Sequence, residues 1–126
     1  MIKLHITNKD FEQTEGITEY VERKIGGLDR YLPRSVHNVA GLVILEHDPS
    51  GREGNEFVCE AKLEIPGPNA EAREATINMY AAVDIVEAKL KVQLRKFKDK
   101  HQPGRLRRSK AVVRRLLGRS DAETSL

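Results

Sequence analysis

The sequence predicts an α+β fold, a two-layer sandwich in which two helices cover one face of a four-stranded sheet. Two segments carry apolar residues at helical spacing, four segments have strand character, and they follow the order strand, helix, three strands, helix. A chain of 126 residues is long enough for one domain with a modest core. We therefore expect a β-α-β-β-β-α domain over residues 1–101 and a basic, flexible tail over residues 102–126.

The first strand and the first helix are predicted from the N-terminal third of the chain. Apolar and polar residues alternate over residues 2–7, which indicates a half-buried strand. Thr14 is the expected N-cap of a helix that continues to about Tyr31. The apolar face of this helix consists of Ile17, Val21, Ile25, Leu28 and Leu32. Gly26 and Gly27 leave two interpretations open: the helix ends early there, or a neighbouring element packs closely against the bare backbone.

Three further strands are predicted in the middle of the chain. Residues 36–46 carry apolar side chains on both faces, which favours a central strand. Residues 57–65 alternate clearly, with Cys59, the only cysteine, on the core face. The opposite face of this strand is expected to face solvent and carries Glu60, Lys62 and Glu64. Residues 70–76 follow a turn, and this position favours a short edge strand although propensity alone would also permit a helix.

Residues 78–100 form the longest helical pattern in the chain. At 100° per residue, one narrow apolar stripe is formed by Val83, Val86, Leu90, Leu94 and Phe97. One flank of the stripe carries Lys91, Arg95 and Lys98, and the other carries Lys89, Lys96 and Lys100. We expect this helix to dock on the core through the stripe and to present positive charge on both sides.

The charge distribution is strongly uneven, although the net charge is only +3. Residues 85–119 contain 13 bases and 2 acids. A plain solvated helix would usually balance its charges, so this asymmetry indicates a surface that binds a polyanion such as nucleic acid. In the first helix, Lys24 projects within the apolar face. Its ammonium either extends to water beyond the core or lies in the groove between the helices, where it could meet phosphate.

Catalytic and metal-binding patterns are missing from the sequence. The four histidines are scattered without metal-ligand spacing, and no phosphate-binding loop or nucleophile motif is present. The sequence therefore predicts a protein that is not an enzyme and has no metal, cofactor or small-molecule substrate. It also contains no signal-like segment and no apolar run long enough for a membrane span, so we expect a cytoplasmic protein without a membrane partner.

The second helix also resembles a known family. Residues 79–84 (MYAAVD), with Lys89-Leu90, Gln93-Leu94, Lys96 and Lys98, resemble the signature "DMYAAID…KL…QL.KYK" of the ribosome hibernation promoting factors. This family includes the ribosome-associated translation inhibitor of bacteria and was once described as sigma-54 modulation proteins. Residues 20–31 and 60–67 resemble the family's first helix and its third strand with the following turn. The resemblance covers about residues 1–101.

The resemblance implies both a fold and a function. The family's fold resembles double-stranded-RNA-binding domains. Members bind the small ribosomal subunit, with its 16S-type ribosomal RNA, in the channel between head and body. There they overlap messenger RNA and the A- and P-site transfer RNAs, inhibit translation and preserve idle ribosomes. Off the ribosome we expect a monomer.

Predicted RNA contacts come from two sources. Carried over from the family by position are Lys24, Lys89, Gln93, Lys96 and Lys98. Added from charge and helix geometry alone are Arg23, Arg30, Lys91, Arg95 and Lys100. Asp84 and Tyr80 also match the family, and we expect structural roles for both: Tyr80 packing near the helix start and Asp84 holding a loop or a basic neighbour.

Three departures and two alternatives accompany this hypothesis. Asn78 stands where the family usually has Asp, Gly26-Gly27 replaces better helix formers, and the basic tail takes the place of the linker and dimerisation domain of long members. A general double-stranded-RNA-binding module would bind any long duplex equally. A protein-binding transcription modulator would bind a protein partner without RNA. The sequence leaves open whether ribosomes dimerise.

Overall fold

The computed structural model describes residues 1–100, and the tail predicted at residues 102–126 lies outside them. The element order confirms the predicted α+β architecture. The elements are β1 (Lys3–Lys9), α1 (Glu15–Lys24), a 3-10 helix (Gly26–Tyr31), β2 (Ala40–His47), β3 (Phe57–Glu64), β4 (Ala70–Thr76) and α2 (Met79–Lys100).

The four strands form one sheet in the order β1-β2-β3-β4. β1 pairs with β2 in parallel, because the connection through α1 returns the chain to the starting end of the sheet. β2 and β3 pair antiparallel, as do β3 and β4. β2 is therefore central and β4 lies at an edge, as predicted. This order places α2, which follows β4, across the β3–β4 side of the sheet.

The first helix begins where predicted and ends earlier. The backbone N–H of Ile17 donates to the Thr14 hydroxyl at 3.2 Å, so Thr14 is the N-cap. α1 ends at Lys24, and the chain continues as the 3-10 helix, which corrects the expected end near Tyr31. A side chain at Gly26 would lie 3.1 Å from the terminal methyl of Met1 and 3.5 Å from the Ile2 carbonyl oxygen. Both interpretations of the glycine pair therefore hold: the α-helix ends early, and the N-terminal segment packs against Gly26.

The second strand begins at Ala40, which corrects the predicted start at residue 36. A turn precedes it, in which the Val36 N–H donates to the Pro33 carbonyl at 3.0 Å. Asn38 then adopts a left-handed backbone conformation, with φ of 57°. That conformation is incompatible with a strand, so residues 33–39 form a loop at the start of the sheet.

The core lies between the sheet and the helices. The predicted stripe on α2 is buried throughout, and so is the predicted apolar face of residues 17–32. The apolar face remains buried although the helix type changes after Lys24, because Leu28 on the 3-10 helix also packs in the core. Burial raises the pKa of the Cys59 thiol to about 12, as expected for a core cysteine. On the other face of β3, Val58 is buried, and Glu60, Lys62 and Glu64 are exposed, as predicted.

Candidate nucleic-acid interface

The two flanks of α2 have different neighbours. α2 begins after Asn78, whose side chain caps it by accepting a hydrogen bond from the Ala81 N–H at 2.8 Å. Because the apolar stripe packs on the core, one flank of the helix lies beside β4 and the other lies beside α1 and the 3-10 helix. We call the first the sheet-side flank and the second the groove-side flank. The sheet-side flank contains Lys89, Gln93, Lys96 and Lys100; the groove-side flank contains Asp84, Glu87, Lys91, Arg95 and Lys98.

Two predicted RNA contacts on the sheet-side flank bind the edge strand. The Lys89 ammonium lies 2.6 Å from a carboxylate oxygen of Glu74. The Gln93 amide accepts a hydrogen bond from the Glu71 N–H at 2.9 Å and donates one to the Glu71 carbonyl at 2.7 Å. Gln93 thus extends the hydrogen bonding of β4 on its open edge, where main-chain groups lack a neighbouring strand. The side chains of Lys89 and Gln93 hold α2 on the sheet.

The groove-side flank is acidic at its beginning. Lys24 lies between the two helices, with its ammonium 3.6 Å from an Asp84 oxygen and 3.5 Å from a Glu87 oxygen. The charge of Glu87 is the largest of several causes that raise the pKa of Lys24. The predicted groove position of Lys24 is therefore observed, but two carboxylates already offset its charge. Asp84 holds a basic neighbour, which confirms the structural role expected for it.

Aromatic contacts reinforce this end of the groove. The Tyr20 hydroxyl donates to Asp84 at 2.5 Å, and this hydrogen bond is the main cause of a raised pKa for Tyr20. The Tyr20 and Tyr80 rings make an edge-to-face contact with centroids 4.9 Å apart, in line with the packing role expected for Tyr80. The guanidinium carbon of Arg23 lies 5.2 Å from the Tyr20 ring centroid. Together these contacts fix α1 to the start of α2, and we call the contacts of Tyr20, Lys24 and Asp84 the latch.

The other end of the groove is cationic and surrounds one aromatic ring. The guanidinium carbons of Arg30 and Arg95 lie 5.1 Å and 5.4 Å from the centroid of the Tyr31 ring, and the Lys91 ammonium lies 5.4 Å from it. The cations come from two elements: Arg30 from the 3-10 helix, and Lys91 and Arg95 from successive turns of α2. We call these four residues the Tyr31 cluster.

The Tyr31 cluster is positive and without an acidic partner among residues 1–100. No carboxylate in this part of the chain forms an ion pair with Arg30, Lys91 or Arg95. Hydrogen bonding from Arg30 is the largest cause that lowers the pKa of the Tyr31 hydroxyl, followed among the lowering causes by the charges of Arg30 and Lys91. A cation that rests on a ring face keeps its N–H donors available at its edge, so the cluster can still bind phosphate.

The remaining predicted contacts extend this surface toward the end of α2. Lys98 continues the groove-side flank one turn beyond the Tyr31 cluster, and Lys96 and Lys100 are exposed on the other side. Within residues 1–100, these three lysines form no ion pair. The structure therefore brings Arg30, Lys91 and Arg95 together, with Lys98 one turn further along α2, and it places Lys24, Lys89 and Gln93 in protein contacts.

Tyr31 and the carboxylate partners were missed as site residues in the sequence. The adjacency of Arg30 and Tyr31, with Lys91 and Arg95 four residues apart on one flank, was a signal that could have identified the cluster. Glu71 and Glu74 had no such signal, because their contacts with α2 depend on the position of β4. Among the described residues, no group of histidine, cysteine or acidic side chains could hold a metal ion, and no helix is long and apolar enough to cross a membrane.

Related proteins have the same domain within longer chains. The "Ribosome hibernation promotion factor" of Lactococcus lactis is 37% identical over 98 residues, which covers 78% of this chain and 50% of that protein. The protein of the same name from Deinococcus radiodurans is 35% identical over 100 residues, covering 79% of this chain and 51% of the relative. The chain therefore spans about half the length of these curated relatives.

Solved structures share the fold. The N-terminal domain of Thermus thermophilus Protein Y superposes with a TM-score of 0.61 at 26% identity, covering 76% of this chain and 97% of that domain. A ribosomal subunit interface protein from Coxiella burnetii gives a TM-score of 0.60 at 22% identity over 77% and 98% of the two chains, a likeness of fold alone. The sequence profile described as "Sigma 54 modulation protein / S30EA ribosomal protein" matches residues 4–102, and the chain belongs to that family.

Proposed function

We propose that this protein is a ribosome hibernation factor that binds the small ribosomal subunit through its ribosomal RNA. It occupies the channel for messenger RNA and for A- and P-site transfer RNA, inhibits translation sterically and preserves idle ribosomes without catalysing a reaction. Family membership and the names of the relatives support this proposal. The Tyr31 cluster is the observation that carries it for this chain.

The physical argument rests on charge that lacks a partner. Arg30, Lys91 and Arg95 lie around one ring with no carboxylate bound to them within the described residues. Their mutual repulsion is relieved when phosphate enters, so anion binding is favoured. A folded ribosomal RNA offers irregular phosphate walls, which a fixed cluster on two elements can recognise by shape and charge.

The first test is co-sedimentation with separated small and large ribosomal subunits over a series of salt concentrations. A long RNA duplex serves as competitor, and transfer RNA with messenger RNA bound to the small subunit serves as the site-specific competitor. We expect binding to the small subunit that resists the duplex, weakens with salt and is lost when the A and P sites are filled.

Two other outcomes would contradict the proposal. Equal binding to both subunits and to the duplex would indicate a general RNA-binding module. Binding to neither subunit would contradict a ribosomal RNA interface and would favour a protein partner instead. An in vitro translation assay completes the test, because a hibernation factor must reduce peptide synthesis at concentrations that saturate the small subunit.

A further inference from the structure

A cavity of about 650 Å³ opens beside the Tyr31 cluster, at the end of the sheet where β1 and β2 begin. Its wall is formed by the 3-10 helix, the loop 33–39 and the first residues of the chain. The volume lies within the range of about 300–1,000 Å³ typical of small-molecule sites. The loop 33–39, part of which was predicted as the start of β2, therefore forms one side of a cavity large enough for a small molecule.

The charged groups of this cavity favour an anion. Lys3, Arg30 and Arg34 line it, together with His37. Among the lining residues that the structure describes, one is a carboxylate: Asp29 lies 3.3 Å from the amino group of Met1, which offsets its charge. Three permanently cationic residues thus line a space in which the one acid among the described lining residues already has a partner.

The remaining wall can hold an aromatic ring. Apolar side chains that are nearly or partly buried form it: Ile2, Leu32, Pro33, Val36 and Val39. His37 and Arg34 also line the cavity, and an imidazole ring or a guanidinium plane is a surface on which an unstacked RNA base can pack. A cavity lined by cations, by a flat imidazole and by apolar side chains matches a nucleotide, which has a phosphate and a base.

Arg30 connects this cavity to the Tyr31 cluster. The residue lines the cavity, and its guanidinium also lies 5.1 Å from the Tyr31 ring centroid. Arg30 is therefore shared by the cavity and by the cations of the Tyr31 cluster, Lys91 and Arg95. A strand whose phosphates follow these cations reaches the cavity with its next nucleotide.

We infer that this cavity binds one unstacked nucleotide of an RNA strand, with its phosphate at Arg34 and Lys3 and its base against His37 and the apolar wall. The inference rests on the proposed function for the source of the strand, since a free nucleotide has the same chemistry. It adds a pocket for a single nucleotide to an interface otherwise made of phosphate contacts.

The test uses nuclear magnetic resonance of the full chain with assigned amides. The probes are adenosine 5′-monophosphate and a 5′-phosphorylated hexaribonucleotide. We expect saturable shifts of the amides of residues 34–39 with both probes, and about tenfold or tighter binding of the hexanucleotide because it also reaches the α2 cations. Arg34→Glu should weaken the cavity shifts by about tenfold, as expected for loss of a charge-assisted contact.

Matched variants separate this site from the rest of the molecule. Arg52→Glu makes the same charge change in the β2–β3 loop, at the opposite end of the sheet, and should leave the cavity shifts unchanged. Arg34→Gln tests the loss of charge without reversal. The combined Lys91→Glu, Arg95→Glu and Lys98→Glu variant should retain binding of the mononucleotide in the cavity.

The outcomes distinguish this inference from the proposed function. Absence of shifts at residues 34–39 with either probe would overturn the cavity, even if small-subunit binding is intact. Equal affinity for the mononucleotide and the hexanucleotide would overturn the RNA strand as its source. Cavity shifts that meet the expectations, in a protein that fails to co-sediment with small subunits, would support the cavity while the hibernation function fails.

Discussion

The two flanks of α2 carry the same number of predicted cationic contacts in sequence but differ in what those cations touch. On the sheet-side flank, Lys89 pairs with Glu74 and Gln93 binds the backbone of Glu71. On the groove-side flank, Lys91 and Arg95 lie over the Tyr31 ring, and no carboxylate within residues 1–100 pairs with either of them. An equal number of cations in the sequence therefore does not mean equal capacity for an anionic ligand, because some of those cations stabilise the fold.

The largest loss of stability is expected from a substitution in the apolar stripe, which lies between the two flanks. Leu90 is fully buried in the core. Leu90→Asp places an unpaired carboxylate there, at a cost of several kcal/mol, which can remove most of a stability of about 5–15 kcal/mol. We expect loss of the cooperative thermal transition measured by circular dichroism, and with it the loss of both flanks as organised surfaces.

Leu90→Met is the control for this position. It nearly conserves volume and should cost less than about 1.5 kcal/mol. If the Leu90→Asp variant unfolds at nearly the wild-type temperature, the apolar stripe is not what stabilises the packing of α2 on the sheet.

The next effect separates the flanks directly. Lys91→Glu, Arg95→Glu and Lys98→Glu together should weaken small-subunit binding by about a hundredfold or more, because three charge-assisted contacts are lost. The slope of the logarithm of affinity against the logarithm of salt concentration should shrink by about 0.7–0.9 for each phosphate contact removed. Co-sedimentation over a salt series measures both quantities.

The matched variant is Lys89→Glu, Lys96→Glu and Lys100→Glu, which changes the net charge equally. It should weaken binding less, since Lys89 is already paired with Glu74, and Lys96 and Lys100 lie on the side of α2 away from the Tyr31 cluster. Equal losses for the two variants would mean that the RNA contacts both flanks alike. A larger loss on the sheet side would reverse the assignment.

Local patterns were sufficient for most of the fold. The stripe on α2, the cap at Thr14 and the alternation of β3 each depend on residues close in sequence, so they could be predicted. The end of α1 depends on Ile2, whose N–H donates to the Gly26 carbonyl at 2.9 Å. That contact comes from the topology, and sequence spacing alone could not reveal it.

The site was predicted less completely for the same reason. Periodicity placed the cations on two flanks correctly but could not say which of them would meet a carboxylate. Glu74 lies 15 residues before Lys89, and Glu71 lies 22 residues before Gln93. Those pairs arise because β4 lies under α2. The Tyr31 cluster likewise forms only because the 3-10 helix lies beside α2. The cavity next to it forms only because the loop 33–39 folds against the first residues of the chain.

A smaller effect is expected at Gln93, which the family resemblance makes an RNA contact and the structure places on β4. Gln93→Ala removes two hydrogen bonds to the Glu71 backbone and should lower the free energy of unfolding by about 1–2 kcal/mol. Hydrogen exchange at the Glu71 amide should accelerate, while small-subunit affinity changes by less than about threefold.

Gln93→Glu sharpens this experiment, because it keeps an acceptor for the Glu71 N–H and loses the donor to the Glu71 carbonyl. Its second carboxylate oxygen then faces the Glu71 carbonyl oxygen, so it should lose at least as much stability as Gln93→Ala. A tenfold loss of affinity with unchanged stability would instead establish Gln93 as an RNA contact and bring the sheet-side flank into the interface.

The smallest effect is expected from pH at the acidic beginning of the groove-side flank. The pKa values of Tyr20 and Lys24 are raised in the folded state, above ordinary values of 10.0 and 10.5. For a group with a raised folded pKa, the stabilisation is fully present below the unfolded pKa and is lost as pH rises through the folded pKa. The latch between α1 and α2 should therefore weaken from about pH 10 upward.

Thermal melts between pH 8 and pH 11 measure this loss. Tyr20→Phe removes the hydroxyl that Asp84 accepts from and should flatten the decline, because one of the two titrating groups is gone. Tyr80→Phe removes a hydroxyl from the other ring of the pair and leaves the Tyr20–Asp84 hydrogen bond in place, so the wild-type decline should persist. If both variants decline like the wild type, the hydrogen bond adds nothing to the latch. The acidic half of the groove-side flank would then contribute to stability through Lys24 alone.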